Sequence, residues 1–150
     1  YDHDFEGINS RLDGIQAAIL SVKLKYLEEW TEKRRKAAII YNNYLRGSRS
    51  VVTPCVSENM KHVYHLYVVR VQSRNQIQES LTNAGIATGI HYPIALPNLH
   101  AYRYLGMSPE NFPIASKYSN EILSLPIFPE LEPAEIEYVC AKLIEATNKR

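Results

Sequence analysis

Between Leu12 and about Arg46, apolar and aromatic residues return every three or four positions: Leu12, Ile15, Ile19, Val22, Tyr26, Trp30, Ala37, Tyr41 and Tyr44. An α-helix turns once in about 3.6 residues, so this spacing collects them on one face and predicts a long helix. About 35 helical residues would reach roughly 50 Å at 1.5 Å per residue, more than a small domain needs, so the helix is expected to bridge two bodies. Its middle, Glu28 to Lys36, sets acids ahead of bases, as in Glu29/Lys33 and Glu32/Lys36, and reads as a solvated face.

Beyond Gly47, Ser48 and Pro54, which mark a loop, the stretch Val63 to Val71 is rich in branched and aromatic residues on both alternating faces and predicts a buried inner strand. Ser73 and Gln76 have the spacing of a capping box. Ile77, Leu81 and Ala84 then share a helix face until Gly85 stops it. Ile86 to Tyr92 alternates as a second strand and halts at Pro93, where Pro93 to Asn98 is too proline-broken to be regular. Asn111 and Pro113 open a helix through Tyr118 and Ile122, Leu123 to Pro126 reads as a short strand, and Pro133 opens the last helix. In that helix Ile136, Val139, Cys140, Leu143 and Ile144 form one buried stripe. Residues 1–150 thus read as one α+β domain: a long N-terminal helix feeding a small sheet covered by shorter helices, with strand order left open.

The length suits one domain with a real core, and 45% hydrophobic against 22% charged residues is the balance of a chain that folds. Seventeen basic and sixteen acidic residues leave a net charge of +1, too little to gather polyanions over the surface, so nucleic acid is not an expected partner. Cys55 and Cys140 stand alone, without a zinc or disulfide pattern, which fits a reducing cytoplasmic setting. The chain has no apolar run long enough for a membrane span and its start lacks the features of a signal peptide. It begins at Tyr1 rather than Met, within what reads as a loop, and is expected to be a fragment or a processed chain.

Metal chemistry fails on spacing, because His62 and His65, three apart on a predicted strand, would point to opposite faces. Cys140 lies on an apolar stripe and Cys55 has no activating base nearby, so neither is read as a nucleophile. Two clusters remain. Asn9 and Arg11, just ahead of the long helix, combine an amide, a guanidinium and a helix start, groups that together can hold a phosphate; a plain helix cap by Asn9 or Ser10 is the alternative. His91 and Tyr92, at a strand end beside an irregular loop, can exchange a proton with a ligand; a satisfied surface His and a packed Tyr are the alternative.

Five ordered stretches carry a resemblance: Gly7-Ile8-Asn9-Ser10-Arg11-Leu12-Asp13 with Ile15-Gln16-Ala17-Ala18-Ile19-Leu20, Tyr64 to Arg70, Gly89-Ile90-His91-Tyr92-Pro93, and Leu123 to Ile127. Together they make the chain similar, over nearly its whole length, to the DegT/DnrJ/EryC1/StrS family of sugar aminotransferases. The resemblance implies a homodimer of the aspartate-aminotransferase type (PLP fold type I). This chain would be the smaller C-terminal region, with the large pyridoxal-phosphate (PLP) domain absent from it. In such proteins a lysine of the large domain carries the cofactor, held in a Ser/Thr-rich turn that aims its amine. Lys23, Lys25, Lys33, Lys36 and Lys142 fall on predicted helices, and Lys61, Lys117 and Lys149 lack that context, so no catalytic lysine is expected here.

The resemblance further implies that Asn9 reaches the PLP phosphate of the neighbouring subunit, with Arg11 assisting there or meeting the substrate diphosphate. His91 and Tyr92 would lie beside the sugar. Relatives often carry a His shortly after the Tyr-Pro turn, where this chain reads Leu96-Pro97-Asn98-Leu99-His100; His100 is then a substitute, or the contact is missing. The implied reaction moves an amino group from a donor such as glutamate, through PLP, to a nucleotide-linked keto-sugar, with a lean toward the 3-keto branch. A non-catalytic dimerisation or regulatory module derived from that family is the competing expectation.

Overall fold

The computed structural model describes residues 2–10 and 12–148. The predicted long helix is present in three pieces: α1 (Gly14–Lys23), a 3-10 turn (Leu24–Tyr26) and α2 (Leu27–Leu45). It starts at Gly14 rather than Leu12 because Asp13 is the cap, its carboxylate accepting the Gln16 N–H at 2.8 Å. The predicted apolar face also divides in two. Ala37 and Tyr41 are buried, whereas Leu12, Ile15, Ile19, Val22 and Tyr26 are exposed, and α1 has no buried residue at all. Packing therefore holds only the second half.

Three strands follow, β1 (Val51–Val52), β2 (Tyr67–Val71) and β3 (Ile122–Leu125), antiparallel in the order β1-β2-β3. β2 is the inner strand, as the sequence predicts, but it starts four residues late. Tyr64 has φ +48°, a left-handed turn that no strand tolerates, and its N–H bonds back to His62 Nδ1 at 2.9 Å. His62 and His65 are therefore turn residues rather than strand residues. Nor is β2 apolar on both faces: Tyr67, Val69 and Val71 are buried, while Val68 and Arg70 are half-buried. Arg70 lies 3.9 Å over the Tyr118 ring and pairs with Glu121 at 3.1 Å. β1 falls in a stretch read from sequence as loop, and pairs Val51 with Val71.

Helices α3 (Arg74–Asn83), α4 (Pro113–Ser119) and α5 (Pro133–Asn148) complete the fold. The Ser73 capping box does not form. Ser73 itself is left-handed (φ +54°), and its carbonyl rather than its hydroxyl meets the Gln76 and Ile77 amides. Gly85, at φ +76°, ends α3 as expected, since a glycine adopts that turn without a Cβ penalty. Ile122 belongs to β3, not to the helix before it, because α4 stops at Ser119.

One core joins the sheet to α2, α3 and α5, through Tyr41, Leu45, Tyr67, Val69, Leu81, Leu123, Ile136 and Leu143 among others. Tyr41 and Tyr67 stack with ring centroids 4.6 Å apart at its centre. Both hydroxyls are satisfied, Tyr41 donating to the Pro126 carbonyl (2.8 Å) and Tyr67 to Asn42 Oδ1 (2.6 Å), which avoids the roughly 1–3 kcal/mol cost of a buried unpaired group. Among the described residues, no helix is long and apolar enough to cross a membrane.

Candidate functional site

On β3, Leu123 and Leu125 face the core, so Ser124 between them faces the other way. Its backbone also points outward: Ser124 N–H donates to the Gly89 carbonyl (2.8 Å) and its carbonyl accepts the Gly89 N–H (3.0 Å). This single bridge is all that forms of the strand predicted over Ile86 to Tyr92. The bridge brings His91 back over the sheet edge, where Nδ1 lies 2.9 Å from Ser124 Oγ.

Gly89 makes this approach possible. A Cβ there would lie 2.6 Å from His91 Cε1, so any side chain would push the ring aside. The ring is half-buried, held through Nδ1, and Nε2 remains as its second polar atom. An imidazole fixed in this way can orient a ligand and give or take a proton through Nε2. Tyr92 follows across a cis peptide bond, 61% exposed, its ring edge-on to His91. Ser124 and Gly89 complete the site, although sequence reading assigned them no role. The available signals were a glycine inside an alternating run and a serine between two core leucines.

The second cluster lies elsewhere. Asn9 is exposed in an irregular stretch, and Arg11 lies outside the described residues. Neither Asn9 nor Ser10 caps α1, since Asp13 does, its carboxylate accepting the Gln16 N–H at the helix start. Asn9 thus stands as an exposed amide on the strap that leads into α1.

The strap is tied down at its start. Asp2 Oδ1 accepts the His100 backbone N–H (3.2 Å), the His3 carbonyl accepts the Ala101 N–H (2.8 Å), and Tyr104 donates to Glu6 Oε1 (3.1 Å). The His100 ring sets Nε2 3.3 Å from Asp2 Oδ2, and Arg103 also reaches Nε2. The His100 N–H, together with the nearby ring, the His3 N–H and Arg103, holds the Asp2 carboxyl below the usual carboxylate range.

The described lysines offer no enclosed amine. Lys33, Lys61 and Lys142 pair with Glu29, Glu32 and Glu145, and Lys23, Lys25, Lys36 and Lys117 are exposed. The Glu29 and Glu145 carboxylates keep Lys33 and Lys142 above the ordinary lysine range, opposite to what a nucleophilic amine needs. The described residues hold no group of three or more His, Cys, Asp or Glu side chains placed to bind a metal ion.

Residues 1–144 match the sequence profile of the DegT/DnrJ/EryC1/StrS aminotransferase family. A protein of Geobacillus stearothermophilus named pleiotropic regulatory protein is 43% identical over 147 residues, 97% of this chain and 40% of its own length. The dTDP-3-amino-3,6-dideoxy-alpha-D-galactopyranose transaminase of Aneurinibacillus thermoaerophilus is 40% identical over 149 residues, 99% of this chain and 39% of that enzyme. Among solved structures, S. venezuelae DesV in complex with a ketimine intermediate superposes with a TM-score of 0.87 at 32% identity, covering 100% of this chain and 40% of DesV. The chain thus spans about two fifths of the length of these relatives.

Proposed function

The chain belongs to the DegT/DnrJ/EryC1/StrS aminotransferase family, and on that premise we propose that it is the C-terminal part of a cytoplasmic, homodimeric, PLP-dependent enzyme that aminates a nucleotide-linked keto-sugar. Glutamate is the proposed donor and the 3-keto carbon the proposed acceptor. The observation that carries this reading is the family match across residues 1–144, in company with a transaminase whose name places the amino group at position 3.

The residues fit the cofactor in part. PLP, when bound, supplies the electron sink through which an amino group leaves the donor and enters the keto-sugar. Among the described residues no lysine suits the covalent bond to it, which is assigned to a large domain outside this chain. Asn9 suits its phosphate: an exposed amide, unencumbered by helix capping, can donate to a phosphate oxygen of the neighbouring subunit's cofactor. Arg11 adds a charge for the same phosphate or the substrate diphosphate. His91, its ring fixed by Ser124 and Gly89, orients the sugar and relays a proton at Nε2, and Tyr92 offers its ring and hydroxyl beside it.

Incubation of the chain with PLP, borohydride reduction and peptide mass mapping test this division. No stoichiometric, site-specific adduct is expected on residues 1–150, and a single lysine elsewhere in the full-length protein should be labelled. One fully labelled lysine within this chain would overturn the assignment.

A second reading has one observation behind it, the regulatory name of the G. stearothermophilus relative. A regulatory member would bind partners without turnover. Single-turnover amination by the full-length protein separates the two.

A further inference from the structure

We propose that His100 is a positioning residue: it latches the strap Asp2–Glu6 onto the 3-10 turn His100–Leu105, and through that latch sets Asn9 against the loop that carries His91. The second half of this statement rests on the reading that Asn9 meets the cofactor phosphate.

The latch is a set of contacts between segments far apart in sequence. His100 engages Asp2 twice, by its backbone N–H (3.2 Å) and by ring Nε2 (3.3 Å), and its Nδ1 lies 3.8 Å from Asp4 Oδ1. The Ala101 N–H to His3 carbonyl bond (2.8 Å) and the Tyr104 to Glu6 bond (3.1 Å) extend the seam on either side. Any one exposed ion pair is worth little, but here two backbone donors and a ring share one short strap, so the contacts close together. The imidazole lies against Asp2 and Asp4 of the strap, and since a carboxylate only accepts, the ring grips Asp2 in the form that carries its proton on Nε2, with Arg103 of its own turn beside it.

Chain geometry makes this seam matter for the site. Asn9 lies three residues beyond Glu6, so its Cα stays within about 11 Å of that anchor, and Asp13 caps α1 on its other side. On the opposite arm, His91 is pinned to Ser124, and the segment between it and His100 is held by buried Ala95 and Leu99 and by the Asn98 to Ser116 bond (3.0 Å). The phosphate arm and the sugar arm meet at His100. Without the latch the strap would swing about α1, and Asn9 would lose its fixed distance from the sugar loop.

The test compares H100A and H100Q in the full-length, PLP-loaded protein, since glutamine restores a donor near the Nε2 position. Exchange of the Ala101 amide reads strap closure without reference to the cofactor; PLP retention reads the consequence. H100A should speed Ala101 exchange roughly three- to tenfold and weaken PLP retention in parallel, with H100Q recovering both and the thermal midpoint unmoved. Unchanged exchange in H100A overturns the latch. Faster exchange with unchanged PLP retention, where Asn9→Ala does weaken retention, overturns the coupling to Asn9. If Asn9→Ala itself leaves retention unchanged, the cofactor role of Asn9 fails and the coupling with it, whatever the exchange shows.

Discussion

His91 Nδ1 lies 2.9 Å from Ser124 Oγ, and beside the Gly89–Ser124 backbone bridge that contact ties the side chain of a candidate sugar-binding residue to the rigid edge of the sheet. Ser124 is 4% exposed, sits in β3 opposite Val68, and has both its N–H and its carbonyl bonded to Gly89, so its hydroxyl stands on a fixed backbone. Ser124→Ala removes the contact while sparing the fold. Turnover in the full-length protein should fall about five- to tenfold, the equivalent of roughly 1 kcal/mol of lost positioning, with PLP retention unchanged. His91→Ala should lower turnover further. Steady-state kinetics beside cofactor absorbance checks both, and wild-type kinetics in His91→Ala would remove His91 from the site.

Gly89→Ala places a methyl 2.6 Å from His91 Cε1. The ring can swing outward, so the fold should lose only about 1 kcal/mol in a denaturant titration. Turnover should fall to the level of His91→Ala, and the His91 ring resonances should shift. A variant with native turnover would show that the ring position does not matter.

Asn9→Ala is expected to weaken PLP retention by about 1–2 kcal/mol, the value of one lost hydrogen bond to a charged phosphate. Equilibrium dialysis of the cofactor measures it. Asn9 is exposed and makes no helix cap, so the thermal midpoint should stay where it is.

The two thiols should separate cleanly. Cys55 is exposed, whereas Cys140 lies in the core, where burial pushes its thiol up to about 12. A thiol reagent near pH 8 should modify Cys55 alone in the native protein and both residues in denaturant. Rapid labelling of Cys140 without denaturant would contradict its place in the core.

Stability should decline in alkali. Burial raises the Tyr41 and Tyr67 phenols above their ordinary range, so the folded state resists losing those protons while the unfolded chain releases them from about pH 10. Their contribution is full below about pH 10 and is lost as pH rises further, at roughly 1.4 kcal/mol per unit for each tyrosine. Urea titrations from pH 8 to pH 11 test this, and Tyr41→Phe should flatten the slope by about half.

Much of the architecture was legible in the residues because it follows from local periodicity. The three-and-four spacing through Tyr41 gave the helix, Pro133 and the Ile136 to Leu143 stripe gave α5, and Gly85 marked a real helix end. Local pattern misled where backbone conformation departed from the average. Val63 to Leu66 has strand composition, yet the left-handed Tyr64 keeps it out of the sheet. Ser73 and Gln76 spell a capping box whose hydroxyl is not used. Val51 and Val52 became a strand only because the edge of β2 was there to pair with them.

The sequence by itself determined the α+β class, the core residues of α2 and α5, and the family, because each depends on residue types at fixed spacing along one chain. Only the tertiary structure decided that Ser124 and Gly89 hold His91, that Asp13 rather than Asn9 caps α1, and that His100 grips Asp2. Apart from that cap and from Gly89, which stands two residues from His91, these partners lie far apart in the chain, and no periodicity encodes which of many possible partners will meet. Their meeting is set by strand register and loop closure, which are properties of the folded whole.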